Sequence, residues 1–250
     1  EPLEVRRSIG IVFQEPSVDD LLTGRENLRL HSMLYGVPRR EIRPRIERML
    51  AMVGLTDRGD SLVKTYSGGM RRRLEIARGL IHEPRILFLD EPTLGLDPAS
   101  RKAIWQHIRD LKAQHNSTII LTTHYMEEAD RLCQRLAIVD HGRILTVDTP
   151  QALKTSLPGA QVLDLWVRAP QPLAPRLRGV AGVLNLEAVA EGVEGDGIER
   201  LRLFVEPGDG LLDRVLHAVR DGGADLRHVS LAQPSLEDVY IHLTGRGLRE

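Results

Sequence analysis

The sequence predicts an α/β fold in two parts. Between residues 86 and 147, apolar runs of strand length alternate with segments of helical spacing, the pattern of a largely parallel sheet covered by helices. After Pro150, glycine and proline become frequent, and the order strand, helix, strand, strand, helix, strand indicates a split βαβ, ferredoxin-like unit. We therefore predict a first domain over residues 1–157 and a smaller α+β domain over residues 158–250.

The composition argues against several classes of protein. The 250 residues carry 34 basic and 35 acidic side chains, for a formal net charge of −1, which gives no support for a nucleic-acid partner. The single cysteine, Cys133, cannot form an internal disulfide, which fits a reducing compartment. No apolar run has the length that spanning a bilayer requires, so we expect any membrane role to be peripheral, through a partner.

Local signals place a helical subdomain over about residues 20–83, after a buried strand at residues 8–13. Thr23 and Glu26 form a capping-box pair, which begins the first helix of the subdomain. Two further helices follow, and Pro44 should begin or kink the earlier of them. These two helices are predicted at residues 42–53 and 69–82.

The elements beyond the subdomain follow from capping and turn signals. Asp97 followed by Pro98 predicts the N-cap and first turn of a helix. The other strands and helix of the first domain are predicted at residues 86–89, 118–122, 125–133 (the helix), 136–139 and 144–147. In the second domain we expect a glycine-rich turn at residues 191–197, and a Ser235–Asp238 capping box that begins the last helix.

A small polar turn, Tyr66-Ser67-Gly68-Gly69-Met70, opens the third helix of the subdomain. The first amide donors of a helix lack partners within it, so these donors, the helix dipole and the Ser67 hydroxyl make a good anion site. The glycines let the backbone approach phosphate oxygens closely. Taken alone, such a turn is more simply a capped helix start.

The strand at residues 86–89 ends in two adjacent carboxylates, Asp90 and Glu91. Its side chains are apolar on both faces, as in a central parallel strand, and ligands bind at the carboxyl ends of such strands. Asp90 is suited to hold Mg²⁺ beside the β- and γ-phosphates of a nucleotide. Glu91 is suited to polarise an attacking water as a general base. Taken alone, the two carboxylates would be explained equally well as solvated residues at the end of a strand.

Three more polar residues belong to the same argument. Gln14 ends the strand at residues 8–13, on the edge where Asp90 is expected. His124 ends the strand at residues 118–122, where an imidazole could contact a γ-phosphate. Asp97 follows Gly95-Leu96 and already serves as a helix N-cap. Each of these residues, taken singly, is more simply a surface or capping residue.

Together and in this order, these features resemble the ABC ATPase family over about residues 5–153. The motifs are the Q-loop at Gln14, the signature at Ser67 to Met70, Walker B with Glu91, the D-loop at Asp97 and the switch histidine His124. The resemblance implies a P-loop-type core, two of which close head-to-tail around ATP. It implies catalytic roles for Glu91, His124 and Gln14, contacts to the partner's nucleotide from Ser67, Gly68, Gly69 and Asp97, and Mg²⁺ contacts from Asp90 and Gln14.

Motifs in the second half of the chain resemble a narrower group within this family. Residues 142–145 (Gly-Arg-Ile-Leu), 148–150 (Asp-Thr-Pro) and 234–240 (Pro-Ser-Leu-Glu-Asp-Val-Tyr) are similar to the ATP-binding subunits of bacterial ABC-2-type exporters, with the daunorubicin-resistance and multidrug group nearest. That similarity implies ATP and Mg²⁺ as cofactors and a separate ABC-2-type membrane permease as partner. It also implies a second ATPase subunit, in a homodimer, and a peripheral position at the cytoplasmic face of the inner or plasma membrane.

One family motif does not occur in these 250 residues: the phosphate loop, Gly-x-x-x-x-Gly-Lys-Ser/Thr. Either upstream residues lie outside this sequence or the gene product is defective, and we expect these residues alone to be inactive. Two other functions remain open from the sequence. One is a catalytically inactive interaction module; the other is a soluble ABC ATPase outside transport, which usually carries two cassettes or a long insertion.

Overall fold

A computed structural model of the chain describes residues 2–114, 117–159, 161–169, 171–189 and 198–245. The chain divides into two compact units, Glu1–Leu132 and Cys133–Glu250. The contacts group residues 133–157 with the second unit. The domain boundary between residues 157 and 158 stays a prediction.

The first unit carries a helical part between two strands of its sheet. Its elements are α1 (Pro2–Ser8), β1 (Ile9–Val12), α2 (Gly24–Leu34), α3 (Arg39–Met52), α4 (Gly68–Leu80), β2 (Ile86–Asp90), α5 (Pro98–Gln114), β3 (Thr118–Thr122) and α6 (Met126–Leu132). Helix α1 was not predicted. The Thr23–Glu26 capping box that begins α2 is present, with both reciprocal hydrogen bonds. Helix α3 begins earlier than predicted and continues through Pro44, between the buried side chains of Ile42 and Ile46.

The sheet of the first unit is parallel, as predicted, in the order β1-β2-β3. Strand β2 is central, and its register pairs Leu89 with Val12 of β1 and Asp90 with Thr122 of β3. Because all three strands run the same way, their carboxyl ends lie at one edge of the sheet. We call this edge the carboxyl-end edge.

Helix α4 packs closely on this sheet. A Cβ added at Gly10 in β1 would lie 2.3 Å from the carbonyl oxygen of Gly79 in α4, so only glycine permits that approach. The packing joins one apolar core, whose most buried members include Leu28, Leu50, Leu74, Ile76, Ile81, Leu87, Leu89, Ile104 and Leu111. The helix that opens at the Ser-Gly-Gly turn is therefore held against the strands that lead to Gln14 and Asp90.

The second unit begins with a hairpin and ends with a four-stranded sheet. Its elements are β4 (Leu136–Asp140), β5 (Arg143–Asp148), α7 (Pro150–Thr155), β6 (Gln161–Arg168), α8 (Ala174–Arg178), β7 (Val183–Val189), β8 (Glu199–Val205), α9 (Leu211–Asp221), β9 (Asp225–Ala232) and α10 (Leu236–Thr244). Strands β4 and β5 are antiparallel, and His141 and Gly142 turn between them with φ of 47° and 73°. Positive φ at both turn residues suits the twist of a two-residue hairpin.

The larger sheet is antiparallel in the order β7-β8-β6-β9. With α8 following β6 and α9 following β8, this is the split βαβ, ferredoxin-like arrangement that the sequence predicted. Its core includes Leu163, Leu165, Leu203 and Val215. The predicted glycine-rich turn at residues 191–197 lies outside the described residues. The Ser235–Asp238 capping box begins α10 as expected.

Candidate functional site

The carboxyl-end edge collects the polar residues that the sequence singled out at strand ends. Asp90 is the last residue of β2 and Glu91 the next, while Gln14 and His124 follow β1 and β3. The parallel order of the strands brings the four residues to the same side. Gln14 and Asp90 are exposed, whereas Glu91 is partly buried.

Glu91 and His124 are in contact across this edge. The carboxylate atom Oε2 of Glu91 lies 3.0 Å from Nδ1 of His124, and their side chains are 20% and 42% exposed. The His124 ring lies 4.1 Å from the Tyr125 ring, over which the Arg101 guanidinium stacks at 4.0 Å. The Tyr125 ring, tilted by 44° from the imidazole, therefore packs against His124.

The neighbouring carboxylate is held by β3. The Thr122 hydroxyl donates to Asp90 Oδ1 at 2.6 Å, and Asp90 remains exposed to solvent. Among the described residues there is no group of three or more His, Cys, Asp and Glu side chains arranged for a metal. Mg²⁺ needs no such group, because it commonly takes one or two protein oxygens and completes its shell with water and phosphate. The Asp90 carboxylate and the Gln14 amide have the donor chemistry that this mode requires.

Glu91 itself has an unusual backbone. Its φ is 45°, a left-handed conformation that costs a non-glycine residue about 1–3 kcal/mol and persists only where the surroundings hold it. On one side, the Glu91 N–H donates to the carbonyl and the hydroxyl oxygens of Thr122, each at 3.2 Å. On the other side, the Glu91 carbonyl accepts from Leu94 N at 3.2 Å and from the guanidinium of Arg72 at 3.1 Å.

Arg72 and Glu75 of α4 were missed by the sequence analysis. Both side chains are buried, at 8% and 2% exposure, and Arg72 Nη1 lies 3.1 Å from Glu75 Oε2. The guanidinium also donates to main-chain carbonyls at the carboxyl ends of two strands, and those carbonyls are Phe13, Asp90, Glu91 and Pro92. Glu75 Oε1 accepts from the backbone N–H of Ser17, beyond Gln14. The available signal was two opposite charges at i, i+3 on a helix face that is otherwise apolar.

The Ser-Gly-Gly turn begins α4 as predicted. The Ser67 hydroxyl accepts from Met70 N at 3.3 Å, and Ser67 and Gly68 are exposed. A Cβ added at Gly69 would lie 3.1 Å from the Ser100 hydroxyl, so the turn packs against the start of α5. The Ser67 hydroxyl thus caps the Met70 N–H, while the exposed Ser67 and Gly68 leave the start of α4 accessible to an anion from outside.

The start of α5 is capped by Asp97. The Asp97 carboxylate accepts from the backbone N–H of Ala99 and of Ser100, each at 3.0 Å, and from the Ser100 hydroxyl at 2.6 Å. The hydrogen bonds with Ser100, and then that with Ala99, lower the pKa of Asp97 below its usual value. The carboxylate thus stays charged beside the Ser-Gly-Gly turn.

A second buried network links the turn after Glu91 to the helix after His124. Glu128 of α6 is fully buried, and its Oε1 accepts from the Thr93 hydroxyl at 2.8 Å and from the Trp105 indole N–H at 2.7 Å. The sequence analysis also missed this network. It holds the segments on either side of the Glu91–His124 contact in one arrangement.

Known proteins resemble this chain in sequence and in fold. The model of the family described as "ABC transporter" matches residues 2–94. The daunorubicin resistance ATP-binding protein DrrA2 of Streptomyces coeruleorubidus is 40% identical over 245 residues, which cover 98% of this chain and 74% of that protein. The chain belongs to the ABC transporter ATP-binding subunits. The resemblance stated from the sequence is confirmed.

Further relatives agree with this membership. The Nod factor export ATP-binding protein I of Rhizobium sp. (strain N33) is 40% identical over 98% of this chain and 75% of that protein. Among solved structures, cbiO1 from Clostridium perfringens, part of the ABC transporter complex cbiONQ, is 29% identical with a TM-score of 0.57, over 61% of each chain. These proteins identify the chain as an ATP-binding, ATP-hydrolysing subunit of the exporter type, which acts with membrane components. None of the helices in the described part of the chain has the length and apolarity to cross a membrane.

Proposed function

We propose that the carboxyl-end edge is the hydrolytic half of an ATPase site, with Glu91 as the general base. The observation that carries this assignment is the 3.0 Å contact between Glu91 Oε2 and His124 Nδ1. Glu91 accepts the proton of the water that attacks the γ-phosphate, and His124 holds the carboxylate and contacts that phosphate. Gln14, at the end of β1, orients the water.

Mg²⁺ fits the donor atoms next to this base. The Asp90 carboxylate, with one oxygen occupied by Thr122, and the Gln14 amide would hold the ion. Bound there, Mg²⁺ supplies positive charge to the phosphate oxygens. The residues of the chain still do the proton transfer and the orientation.

A second ATPase subunit completes the site in this proposal. The exposed Ser67 and Gly68, with Gly69, form an anion site for the nucleotide of the other subunit in the family's head-to-tail arrangement. Asp97 contacts the same nucleotide but, as a charged carboxylate, is not part of the anion site. Each subunit then offers the amides and the dipole of its α4 to the nucleotide of the other. We propose a homodimer, because the anion site and the hydrolytic edge both lie on the same chain.

A separate ABC-2-type permease is the proposed membrane partner. Helices α2 and α3 form a groove of about 840 Å³, with an apolar floor and several arginines. Leu30, Met33 and Leu34 of α2 are exposed to solvent near this groove. An amphipathic permease segment with acidic side chains suits such a surface. The groove is lined by Arg25, Glu26, Arg29, Met33, Arg39, Ile42, Arg43, Ile46 and Glu47.

This partnership defines where the protein acts and what it does. The chain would sit peripherally at the cytoplasmic face of the inner or plasma membrane and power the export of a substrate that the permease selects. The names of the relatives, daunorubicin resistance and Nod factor export, support a multidrug-type export function. They also favour this function over an ATPase outside transport.

The test is Glu91→Gln in the complete gene product, reconstituted with its permease. The amide keeps the shape of the side chain but cannot act as a base, so we expect kcat for ATP hydrolysis to fall by about 10²–10⁴-fold. Equilibrium binding of ATP should be retained. Glu127→Gln is the matched control, since Glu127 is an exposed carboxylate of α6 that pairs with Arg131. A kcat of Glu91→Gln within about twofold of wild type would reject the assignment of the base.

A further inference from the structure

The Arg72 side chain has no free donor. A guanidinium carries five N–H groups in a fixed fork, one on Nε and two on each Nη. Arg72 makes five contacts: Nε with Pro92 O, Nη1 with Phe13 O and Glu75 Oε2, and Nη2 with Asp90 O and Glu91 O. Four of these acceptors are main-chain carbonyls. The Glu75 carboxylate balances the charge of the guanidinium, and the other four contacts hold main-chain carbonyls in place.

Those carbonyls border the groups that the proposed function uses. Phe13 immediately precedes Gln14, and Asp90 and Glu91 are the proposed magnesium ligand and base. The Arg72 bonds to Asp90 O and Glu91 O are 2.7 and 3.1 Å long, and these are the two consecutive carbonyls on either side of the Glu91 Cα. The Glu91 backbone between them is left-handed. Arg72 therefore contacts the strained segment from the side opposite Thr122.

Glu75 connects the same arginine to the Q-loop. One oxygen, Oε2, accepts from Arg72, and the other, Oε1, accepts from the Ser17 backbone N–H. The Glu75 carboxylate therefore both orients the guanidinium and fixes the loop that contains Gln14. Both bonds are inside the first unit and need no partner chain.

We propose that Arg72, oriented by Glu75, is a positioning residue for ATP hydrolysis: it holds the backbone of Glu91 so that the carboxylate faces the attacking water. The proposal rests on Glu91 as the general base. Because α4 also begins at Ser67, the arginine makes the position of the Ser-Gly-Gly turn and that of Glu91 depend on each other within one chain. A shift of α4 is then transmitted to the base.

The experiment compares two arginines of α4 by the same substitution. Arg72→Lys keeps the charge and the pairing with Glu75, but an ammonium cannot reach carbonyls on both strands at once. Arg73→Lys is the matched control, because Arg73 donates to the carbonyls of Val53 and Gly54 at the end of α3, away from Glu91. Each variant is made in the complete gene product with its permease, in the wild-type and in the Glu91→Gln background.

We expect Arg72→Lys to lower kcat about tenfold or more, because small displacements of a catalytic group have large effects on rate. The dissociation constant for ATP, measured in the Glu91→Gln background, should change less than about twofold. Arg73→Lys should leave kcat within about twofold of wild type. In the Glu91→Gln background, single-turnover hydrolysis of radiolabelled ATP should be no slower with Arg72→Lys than without it, since a residue that acts through Glu91 has no further effect once the base is gone.

Three results would overturn the inference. One is an unchanged kcat in Arg72→Lys. Another is the same loss of rate in both backgrounds, and the third is a loss of ATP binding that accounts for the loss of rate. If Arg72→Lys does not fold, Glu75→Gln decides: it should lower kcat with ATP binding retained and show no effect in the Glu91→Gln background. If Glu91→Gln hydrolyses ATP at the wild-type rate, the proposed function is rejected. If Glu91→Gln is inactive but Arg72→Lys has the wild-type kcat, this inference alone is rejected.

Discussion

Among the described residues, Arg72 is the buried arginine of the first unit and Arg202 that of the second, and the two differ in what they contact. Arg72 in the first unit and Arg202 in the second have side chains only 8% and 6% exposed. Arg72 donates mainly to backbone carbonyls that border the proposed site. Arg202 contacts the carboxylates of Asp164, at 2.9 Å from Nε, and of Asp238, at 2.7 Å from Nη1.

The two arginines therefore differ in role: Arg72 positions backbone, whereas Arg202 pairs with carboxylates. Arg202, on β8, contacts one carboxylate of β6 and one of α10, and all three side chains belong to the second unit. Burial alone would raise the pKa of Asp164, but the hydrogen bonds and charges of Arg202 and Arg200 outweigh burial and lower it. We interpret the Arg202 cluster as structural. The burial of an arginine therefore does not by itself show whether the residue positions backbone or pairs with other charges. The identity of its acceptors does show this.

The largest predicted effect tests the structural reading of Arg202. Arg202→Met leaves the buried Asp238 without its counter-charge and leaves Asp164 paired with Arg200 alone, so we expect the free energy of unfolding of the second unit to fall by about 3–5 kcal/mol. The kcat per folded molecule should not change. Urea denaturation followed by circular dichroism, with ATPase assays on the folded fraction, measures both.

The control for Arg202 is an exposed pair in the same unit. Arg227 lies 2.8 Å from Asp225, with side chains 50% and 59% exposed. Arg227→Met should change the free energy of unfolding by less than about 1 kcal/mol. Equal effects of the two substitutions would contradict the structural reading.

The next effect concerns how far the second unit extends. Leu153 and Leu157 precede the predicted boundary and are buried, at 4% and 5% exposure. We expect residues 133–250 and residues 158–250 each to unfold cooperatively without nucleotide. The longer polypeptide should be more stable by at least about 3 kcal/mol, since the burial of each of the two leucines contributes about 1.5–3 kcal/mol. Thermal melts of the two compare them, and equal stabilities would place the boundary at residue 158.

The smallest predicted effect compares how the stability of the first unit and that of the second change as the pH falls. Burial, followed by the charges of Arg78 and His82, lowers the pKa of His31 to about 4. Its ring also lies 4.5 Å from the ring of Tyr35. The unfolded chain takes up a proton near pH 6.5, whereas the folded protein does so only near pH 4. Stability of the first unit should therefore decrease as the pH falls through this window.

Replacement of the histidine removes this dependence. In His31→Gln the decrease between pH 7 and pH 4 should be smaller by about 2 kcal/mol, once solvent screening at this partly exposed ring is allowed for. A Trp166→Phe background leaves Trp105 as the only tryptophan, so fluorescence then reports the first unit alone. His217→Gln on the exposed face of α9 is the control and is followed by circular dichroism, which also reports the second unit; an equal change in both variants would reject the role of His31.

Local signals in the sequence were sufficient for most elements and for half of the site. The strand Thr118–Thr122 was predicted with its observed bounds, and both capping boxes were found because each depends on residues three apart. The helix α1 was missed, and α3 passes through Pro44, which local preference disfavours. In the second case the packing of Ile42 and Ile46 outweighs the preference of the proline.

The sequence by itself determined the fold class, the family and which carboxylates end strand β2, because these follow from periodicity and from short ordered motifs. Only the tertiary structure decided what holds those carboxylates. The contact from Arg72 to Phe13 spans 59 residues and that from Thr93 to Glu128 spans 35. Such contacts depend on how helices and strands pack in three dimensions, and the spacing of residues along the chain contains no record of them.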